Sequence, residues 1–129
     1  MKREIIRIPG VKTDGLPFSH IVKAGDILYL SSQLSCDLRT GLVIPGDLAM
    51  QTRKAMENIK YLLSNAGSSM ENVLRVRVYL RNVSGFGEMN RVYREYFRED
   101  EEPARVTVQA PSPIEGIDIE IEVTAAIKR

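Results

Sequence analysis

The feature that most constrains this fold is a strict alternation of apolar and polar residues in segments 74–81, 105–110 and 117–124. Successive side chains of a β-strand point to opposite faces of a sheet, so each segment predicts a strand with one buried face. The apolar members are Leu74, Val76, Val78 and Leu80, then Val106, Val108 and Ala110, then Ile117, Ile119, Ile121 and Val123. The polar members are expected on the other face, namely Arg75, Arg77, Tyr79, Arg105, Thr107, Gln109, Asp118, Glu120 and Glu122.

The first half of the chain predicts three further strands. Residues 5–8, 19–23 and 27–33 contain short apolar runs, and Ala24-Gly25-Asp26 suits a tight hairpin between the second and the third. Turn-forming residues then predict a loop over 36–46.

Two segments predict helices. Apolar residues from Leu48 to Ala66 recur at helical spacing, with Asp47 near the start and Gly67 as the natural stop. Ser84 is expected to cap a second helix. The apolar stripe of that helix comprises Phe86, Met89, Tyr93, Tyr96 and Phe97.

The resulting element order, βββαβαββ, predicts an α+β fold. The acidic run 99–102 would oppose a helix dipole, so it is expected in a loop that Pro103 closes. Residues 1–129 fit a single domain, with two helices packed on one face of a mixed sheet. The other face is expected either to contact solvent or to pack against further subunits.

The composition excludes several classes of function. The chain has 18 Lys+Arg and 17 Asp+Glu, a formal charge of +1, which argues against an electrostatic nucleic-acid binder. The single cysteine, Cys36, cannot form an internal disulfide. No apolar run approaches the roughly 20 residues that span a bilayer, and the N-terminus does not resemble a signal peptide. A cytoplasmic protein without membrane contact is therefore expected.

Common catalytic motifs are absent from the sequence. It has no phosphate-binding glycine loop, no paired cysteines, no histidine pair and no metal-ligand spacing. His20 is interpreted as an ordinary strand residue, because Ser19 beside it would point to the opposite face. Cys36 has no evident activating partner and is interpreted as inert. The arginines of the second helix alternate with glutamates, as on a solvated helix face.

Arg105 and Glu120 are the most informative polar residues. If the two C-terminal strands are neighbours, both side chains open to the same side of the sheet. Arginine can hold a small carboxylate through two parallel hydrogen bonds, and a nearby glutamate can position a water molecule. The alternative is a cross-strand salt bridge between the two.

Several segments together resemble the YjgF/Rid family, the reactive intermediate deaminases, from about residue 16 to the end. The strongest are Pro103-Ala104-Arg105 and Glu120-Ile121-Glu122. The others, in the same order and spacing, are Gly25-Asp26-Ile27-Leu28-Tyr29-Leu30-Ser31, Gln33, Thr40-Gly41, Gly46-Asp47, Asn58-Ile59-Lys60 and Asn90-Arg91-Val92-Tyr93.

The resemblance implies a chorismate-mutase-like fold and a homotrimer with sites between subunits. It also implies hydrolysis of enamine or imine acids, such as 2-aminoacrylate and 2-iminobutanoate, to a 2-oxo acid and ammonia without metal or cofactor. Arg105 would bind the substrate carboxylate and Glu120 would position the attacking water. The other residues expected to bind substrate are Phe18, Ser31, Ser32, Gln33, Asn90 and Thr107.

The chain departs from the usual family pattern at three places. Phe18 stands where many members have tyrosine, and Ser32 where glycine is usual. Val106 and Thr107 follow the arginine where serine or cysteine is common. These differences bear on the substrate more than on the fold. Two alternatives therefore stay open: a non-catalytic or regulatory binder of small carboxylates, and the less favoured RNA endonuclease or translation inhibitor.

Overall fold

A computed structural model describes residues 1–128 of the chain. The elements follow the expected order βββαβαββ. They are β1 (Arg3–Ile6), β2 (Ile21–Ala24), β3 (Ile27–Leu30), α1 (Leu48–Asn65), β4 (Val73–Leu80), α2 (Phe86–Tyr93), β5 (Ala104–Gln109) and β6 (Ile119–Ala126). Short 3-10 turns lie at Met70–Asn72, Val83–Gly85 and Arg94–Tyr96. Among the helices of residues 1–128, none is long and apolar enough to cross a membrane.

The six strands form one mixed sheet in the order β1-β2-β3-β6-β4-β5. All neighbours are antiparallel except β4 and β5, which run parallel and are connected through α2. The hairpin expected at residues 24–26 joins β2 to β3, with Ala24 opposite Ile27. Strand β5 is the last in the sheet, so β4 separates it from β6. The two C-terminal strands are therefore not neighbours.

Helix α1 forms because its apolar stripe fits the sheet and both of its ends are defined. The Asp47 carboxylate accepts a hydrogen bond from the Met50 backbone N–H at 2.9 Å, as an N-cap does. Gly67 has a φ of +86°, the left-handed conformation that favours glycine after a helix. Between these ends, Ile59 and Leu62 are fully buried in a core that includes strands β4 and β6. Both helices contribute to this core, which confirms the α+β fold with helices on one face of the sheet.

The start of the second helix differs from the expectation. Ser84 does not cap α2; it lies in a 3-10 turn, and its backbone N–H donates to the side chain of Asn82. The helix then begins at Phe86 and ends at Tyr93. The Asn82 side chain organises the preceding turn, so a second cap at Ser84 is not needed.

The expected burial of Leu74 is also wrong. The pairing of β4 with β6 shifts between Val73 and Arg75, so the strand contains a bulge there. As a result Val73 is buried and Leu74 is 48% exposed.

The faces of β5 are the reverse of those expected. Its register places Arg105 and Thr107 beside the buried Val76 and Val78, on the helix-covered face of the sheet. By the same alternation Gln109 lies on this face too, beside Leu80. The apolar Val106 and Val108 are 47% and 42% exposed on the other face, here called the open face. This inversion is possible because β5 is an edge strand, where an arginine can pack its stem on the core and keep its guanidinium accessible.

Candidate functional site

Arg105 is a partly buried cation without an anionic partner. Its guanidinium carbon lies 4.7 Å from the ring centre of Tyr93 and 5.5 Å from that of Phe86, both on α2. Its Nη1 contacts the sulfur of Met89 at 4.0 Å. No carboxylate of residues 1–128 forms an ion pair with it. The aromatic rings hold the charge in place and leave it free for a planar anion such as a carboxylate.

Three buried polar atoms without hydrogen-bond partners accompany Arg105. They are Asn90 Oδ1, the Tyr93 hydroxyl and Thr107 Oγ1. Asn90, Tyr93 and Arg105 line one pocket of about 540 Å³ at the end of α2. Buried polar groups in proteins are nearly always paired, so unpaired ones beside a cavity indicate a ligand. Burial is the main cause that raises the pKa of Tyr93 to about 12, so its hydroxyl stays protonated at neutral pH.

Glu120 lies on the open face, in a second pocket of about 270 Å³. The Ser32 hydroxyl donates to its Oε1 at 2.6 Å, and the Ser112 hydroxyl donates to its Oε2. Each oxygen of the Glu120 carboxylate therefore already accepts one hydrogen bond from a hydroxyl, and these two bonds fix the orientation of the carboxylate. Tyr79 and Glu122 line the same pocket.

A third pocket, of about 420 Å³, adjoins the open face. Phe18, Ser31 and Ser32 line it together with Tyr29 and Glu122. The Ser31 hydroxyl donates to the Ser19 carbonyl at 2.7 Å, so within the protomer it has a partner.

Gln33 is 2% exposed, and its contacts stabilise the fold. Its backbone N–H and C=O both pair with Ile121 of β6. Its side-chain amide lies 3.2 Å from the Ser31 carbonyl and 3.3 Å from His20 Nδ1. Gln33 thus supports the segment that carries Ser31 and Ser32.

The candidate residues separate into two groups within one protomer. Arg105, Asn90 and Thr107 belong to the helix-covered side. The second group, Phe18, Ser31, Ser32 and Glu120, surrounds the pockets beside the open face. The expectation that Arg105 and Glu120 open to the same side is therefore wrong, and the alternative salt bridge between them is not formed. The cause is strand β4, which lies between β5 and β6. Because each of these strands pairs with β4, the side chains of Arg105 and Glu120 point to opposite faces of the sheet.

Four residues at the site were not expected from the sequence. Phe86 and Tyr93 form the aromatic support of Arg105, and Met89 contacts it. Their spacing along α2 places them on one face of the helix. From the sequence this face was predicted to pack in the core, and the spacing does not indicate contact with an arginine. Ser112 holds Glu120 from a loop, and no periodic pattern marks such a contact.

Other polar groups offer no alternative centre in the described chain. No cluster of three or more His, Cys, Asp or Glu residues is placed to hold a metal within residues 1–128. Burial raises the pKa of the Cys36 thiol, which disfavours the reactive thiolate. His20 is held between the Lys12 carbonyl and Gln33.

The protomer is an α+β fold in which Arg105 lies between two aromatic rings without an anionic partner among residues 1–128. Comparison with known proteins identifies the family. The profile of the family described as Endoribonuclease L-PSP matches residues 13–127. The chain therefore belongs to this family, also called YjgF/Rid, as its sequence pattern predicted.

Relatives of the chain include proteins that are named for an activity. The chain is 43% identical to a RutC family protein of Pyrococcus horikoshii, over 84% of this chain and 86% of the relative. It is 41% identical to the 3-aminoacrylate deaminase RutC of Acinetobacter baylyi, over 84% and 86%. It is 34% identical to the 2-iminobutanoate/2-iminopropanoate deaminase of Bos taurus, over 84% and 79%. Family members thus include deaminases of imine and enamine acids.

The fold agrees with solved structures of this family. The crystal structure of RidA from an Antarctic Psychrobacter species superposes with a TM-score of 0.85 at 31% identity, covering 96% of this chain and 99% of that one. This likeness confirms the chorismate-mutase-like α+β fold.

Proposed function

We propose that this protein is a hydrolytic deaminase of small 2-imino acids and their enamine tautomers, of the 2-iminobutanoate and 2-aminoacrylate type. The observation that carries the proposal is the unpaired Arg105 guanidinium in a pocket with unpaired Asn90 and Tyr93 atoms. A 2-imino acid presents a carboxylate to the arginine. It also presents polar groups next to that carboxylate, which can satisfy Asn90 and Tyr93.

The two catalytic groups come from different copies of the chain in this proposal. Arg105 and Glu120 lie on opposite faces of one protomer, so a substrate held by Arg105 cannot reach its own Glu120. A neighbouring copy can present Glu120, with Phe18, Ser31 and Ser32, toward the Arg105 pocket. We propose a homotrimer with such shared sites.

The open face supports association. It exposes the apolar surface of Val106, Val108 and Tyr29, of which Tyr29 is 50% accessible. Its charges are partly paired already, since Arg77 contacts Glu122 at 3.7 Å and the Tyr79 hydroxyl donates to Glu122 at 2.8 Å. An apolar surface with compensated charge is suited to burial against another protein surface.

The proposed reaction needs no activated side-chain nucleophile. A protonated imine carbon is electrophilic, so water attacks it while Glu120 accepts one water proton. The carbinolamine that forms has one C–O and one C–N bond at this carbon. The proton then passes from Glu120 to the nitrogen. As the C–N bond breaks, the hydroxyl oxygen forms the C=O bond and gives its proton to Glu120, so a 2-oxo acid and ammonia leave. Orientation of water and substrate lowers the barrier by several kcal/mol in such reactions.

An imine-trapping assay tests this proposal. An amino-acid oxidase generates 2-iminopropanoate from alanine, and semicarbazide traps the imine that survives. Wild type is expected to reduce semicarbazone formation, whereas Arg105→Ala is expected to lose about 10- to 100-fold in kcat/KM, the loss of a charge-assisted pair. Glu120→Ala is expected to lower mainly kcat. Equal semicarbazone formation with and without wild-type protein would contradict the proposal.

A second candidate function is a non-catalytic receptor for small carboxylates. The contacts of Glu120 favour this receptor function, because the Ser32 and Ser112 hydroxyls already donate one hydrogen bond to each of its carboxylate oxygens. Phe18 favours it too, since it lacks the hydroxyl that many family members have. In this case a 2-oxo acid should raise the melting temperature of wild type but not of Arg105→Ala, and no imine would be consumed.

A further inference from the structure

The short segment 31–33 carries one of the hydroxyls that hold Glu120. The Ser32 hydroxyl donates to Glu120 Oε1 at 2.6 Å. The next residue, Gln33, pairs through its backbone N–H and C=O with Ile121, the neighbour of Glu120 on β6. The side chain of Glu120 and the backbone beside it are therefore both attached to this segment, so the position of the segment sets the orientation of the carboxylate.

His20 holds the segment through its backbone and its side chain. Its backbone C=O accepts from the Ser31 N–H at 2.9 Å. Its Nδ1 lies 3.3 Å from the side-chain amide nitrogen of Gln33, which also lies 3.2 Å from the Ser31 carbonyl. All of these contacts, and the contact of Ser32 with Glu120, lie within one protomer. They do not depend on how copies of the chain associate.

Only the neutral imidazole can make the side-chain contact. The Ser31 carbonyl can only accept, so the Gln33 amide nitrogen uses one hydrogen there and has its second hydrogen for His20 Nδ1. On the other side of the ring, the Lys12 carbonyl accepts the Nε2 proton at 3.2 Å. A proton added at Nδ1 would face the Gln33 N–H, so the imidazolium cannot keep this bond.

The surroundings of His20 do not favour the charged ring. Burial lowers the pKa of His20 from 6.5, and the Lys12 carbonyl partly opposes this effect. The charged side chains of the surrounding segments are Arg7 after β1, Lys12 and Asp14 of the next loop, and Glu120 and Glu122 of β6. Within residues 1–128 none of them forms an ion pair with His20. His20 therefore takes up its second proton only below about pH 6.5.

We propose that His20 is a positioning residue for Glu120 and that turnover requires its neutral form. This inference rests on the proposed function, because it concerns the carboxylate that accepts the water proton. His20 does not touch substrate; it acts through Gln33 and the segment that contains Ser32. In mildly acidic solution the protonated ring releases Gln33, the Ser32 hydroxyl no longer holds Glu120 in place, and turnover slows. Binding of the substrate carboxylate is unchanged, since Arg105 lies on the helix-covered side of the sheet.

Two substitutions of His20 separate the hydrogen bond from the charge. In His20→Asn the side-chain oxygen can occupy the position of Nδ1 and accept from Gln33, but it does not titrate. His20→Leu removes the acceptor and keeps an apolar group in the same space. At pH 7.5 the imine-trapping assay should give a kcat near wild type for His20→Asn. His20→Leu should lose about fivefold in kcat, the effect of one hydrogen bond, with KM for 2-iminopropanoate unchanged.

The pH profile tests the role of the charge. The ratio of the wild-type kcat to the His20→Asn kcat cancels the titration of substrate and of Glu120, which both proteins share. The ratio should be near one at pH 7.5 and fall about fivefold as His20 is protonated. Because His20 is the one histidine of the chain, its ring-proton NMR signal reports this protonation directly. The ratio should fall over the same pH range as the signal shifts, under conditions where circular dichroism shows the native fold.

Thr13→Val is the matched control, because Thr13 lines the same pocket as His20. It should keep the wild-type kcat at every pH. Three results would overturn the inference: a wild-type kcat in His20→Leu, equal losses in His20→Asn and His20→Leu, or a kcat ratio that stays near one while His20 titrates. Absence of His20 titration in the native protein above about pH 5 would overturn it as well.

These outcomes are distinct from a failure of the proposed function. Each of them is read from a wild type that consumes 2-iminopropanoate, so the deaminase proposal would stand while the role of His20 fell. Failure of wild type to consume any imine at pH 7.5 would overturn both.

Discussion

Arg105 and Glu120 lie on opposite faces of one sheet, with strand β4 between the strands that carry them. Arg105 rests against the rings of α2, and Glu120 is held by two serine hydroxyls on the open face. A reaction that needs both residues therefore cannot occur inside one protomer. Association of the chain becomes a condition for activity in the proposed function.

Mixed oligomers of two inactive variants should recover activity. Arg105→Ala and Glu120→Ala each remove one member of every site, so each alone is expected to retain at most about a tenth of the wild-type activity. When the two chains are co-expressed in equal amounts, a shared site has both intact residues in about a quarter of the interfaces of a cyclic oligomer. The imine-trapping assay on the co-purified mixture should give about this fraction of wild-type activity. Activity no higher than the sum of the separate variants would contradict a shared site.

Charges introduced on the open face should dissociate the oligomer. Val106 and Val108 are already exposed in the protomer, so a double Val106→Asp/Val108→Asp variant should fold. An unpaired charge buried at an interface costs several kcal/mol, which favours the monomer. Light scattering after gel filtration should report a mass near 14.5 kDa for this variant and three times that for wild type.

A matched variant controls for general effects of surface charge. Tyr61 is 48% exposed on α1, away from the open face of the sheet. Tyr61→Glu adds a charge at a comparably exposed position and should leave the oligomer intact. Dissociation by both variants to the same extent would contradict an interface on the open face.

The fold could be predicted because most of its signals are local. Alternation identifies β4, β5 and β6, and Asp47 and Gly67 mark the two ends of α1. Alternation does not decide which face is buried at a sheet edge, where the helices cover the strand only in part. On β5 the arginine stem faces the core side and the valines are exposed, which reverses the simple expectation.

The candidate site could be predicted only in part. Arg105 and Glu120 stand out by residue type and family resemblance, but their relative placement depends on strand order, which alternation does not encode. The contact of Ser112 with Glu120 depends on a loop conformation between Pro111 and Pro113. The aromatic support of Arg105 depends on how α2 crosses β5. These contacts join residues from separate elements, so the periodicity of the sequence does not predict them.

Removing the hydroxyls that hold Glu120 should impair turnover more than binding. Ser32 and Ser112 each donate to this carboxylate, and a hydrogen bond to a charged group contributes about 1.5–3 kcal/mol. Ser112→Ala and Ser32→Gly should each lower kcat about tenfold or more, because Glu120 loses its fixed orientation. KM should change little, since Arg105 holds the substrate. Steady-state imine trapping separates the two constants.

Ser64→Ala is a suitable control for these variants. Its hydroxyl donates to the Tyr61 carbonyl on α1, and α1 lies on the helix-covered face of the sheet, opposite the open face that carries Glu120. It should keep the wild-type kcat. A rise in kcat for Ser32→Gly would contradict the positioning role and indicate that the Ser32 hydroxyl hinders Glu120.

Protonation of His20 should destabilise the fold below neutral pH. The Lys12 carbonyl can only accept, so His20 Nε2 carries the proton in the 3.2 Å contact, and Nδ1 accepts from the Gln33 amide at 3.3 Å. A second proton on Nδ1 would face that amide N–H, so the imidazolium does not fit. Burial lowers the pKa of His20 from 6.5 in the folded state, while the Lys12 carbonyl partly opposes this.

The sign of the pH dependence follows from this lowered pKa. As pH falls below about 6.5, the unfolded chain binds the proton first, so the free energy of unfolding decreases until the folded pKa is passed. His20→Gln cannot take up this proton, and His20 is the one histidine of the chain. Urea unfolding followed by circular dichroism at pH 7.5, 6.5 and 5.5 should show a steeper loss of stability in wild type than in His20→Gln. Parallel losses in the two proteins would contradict the assignment of a neutral His20 to the folded state.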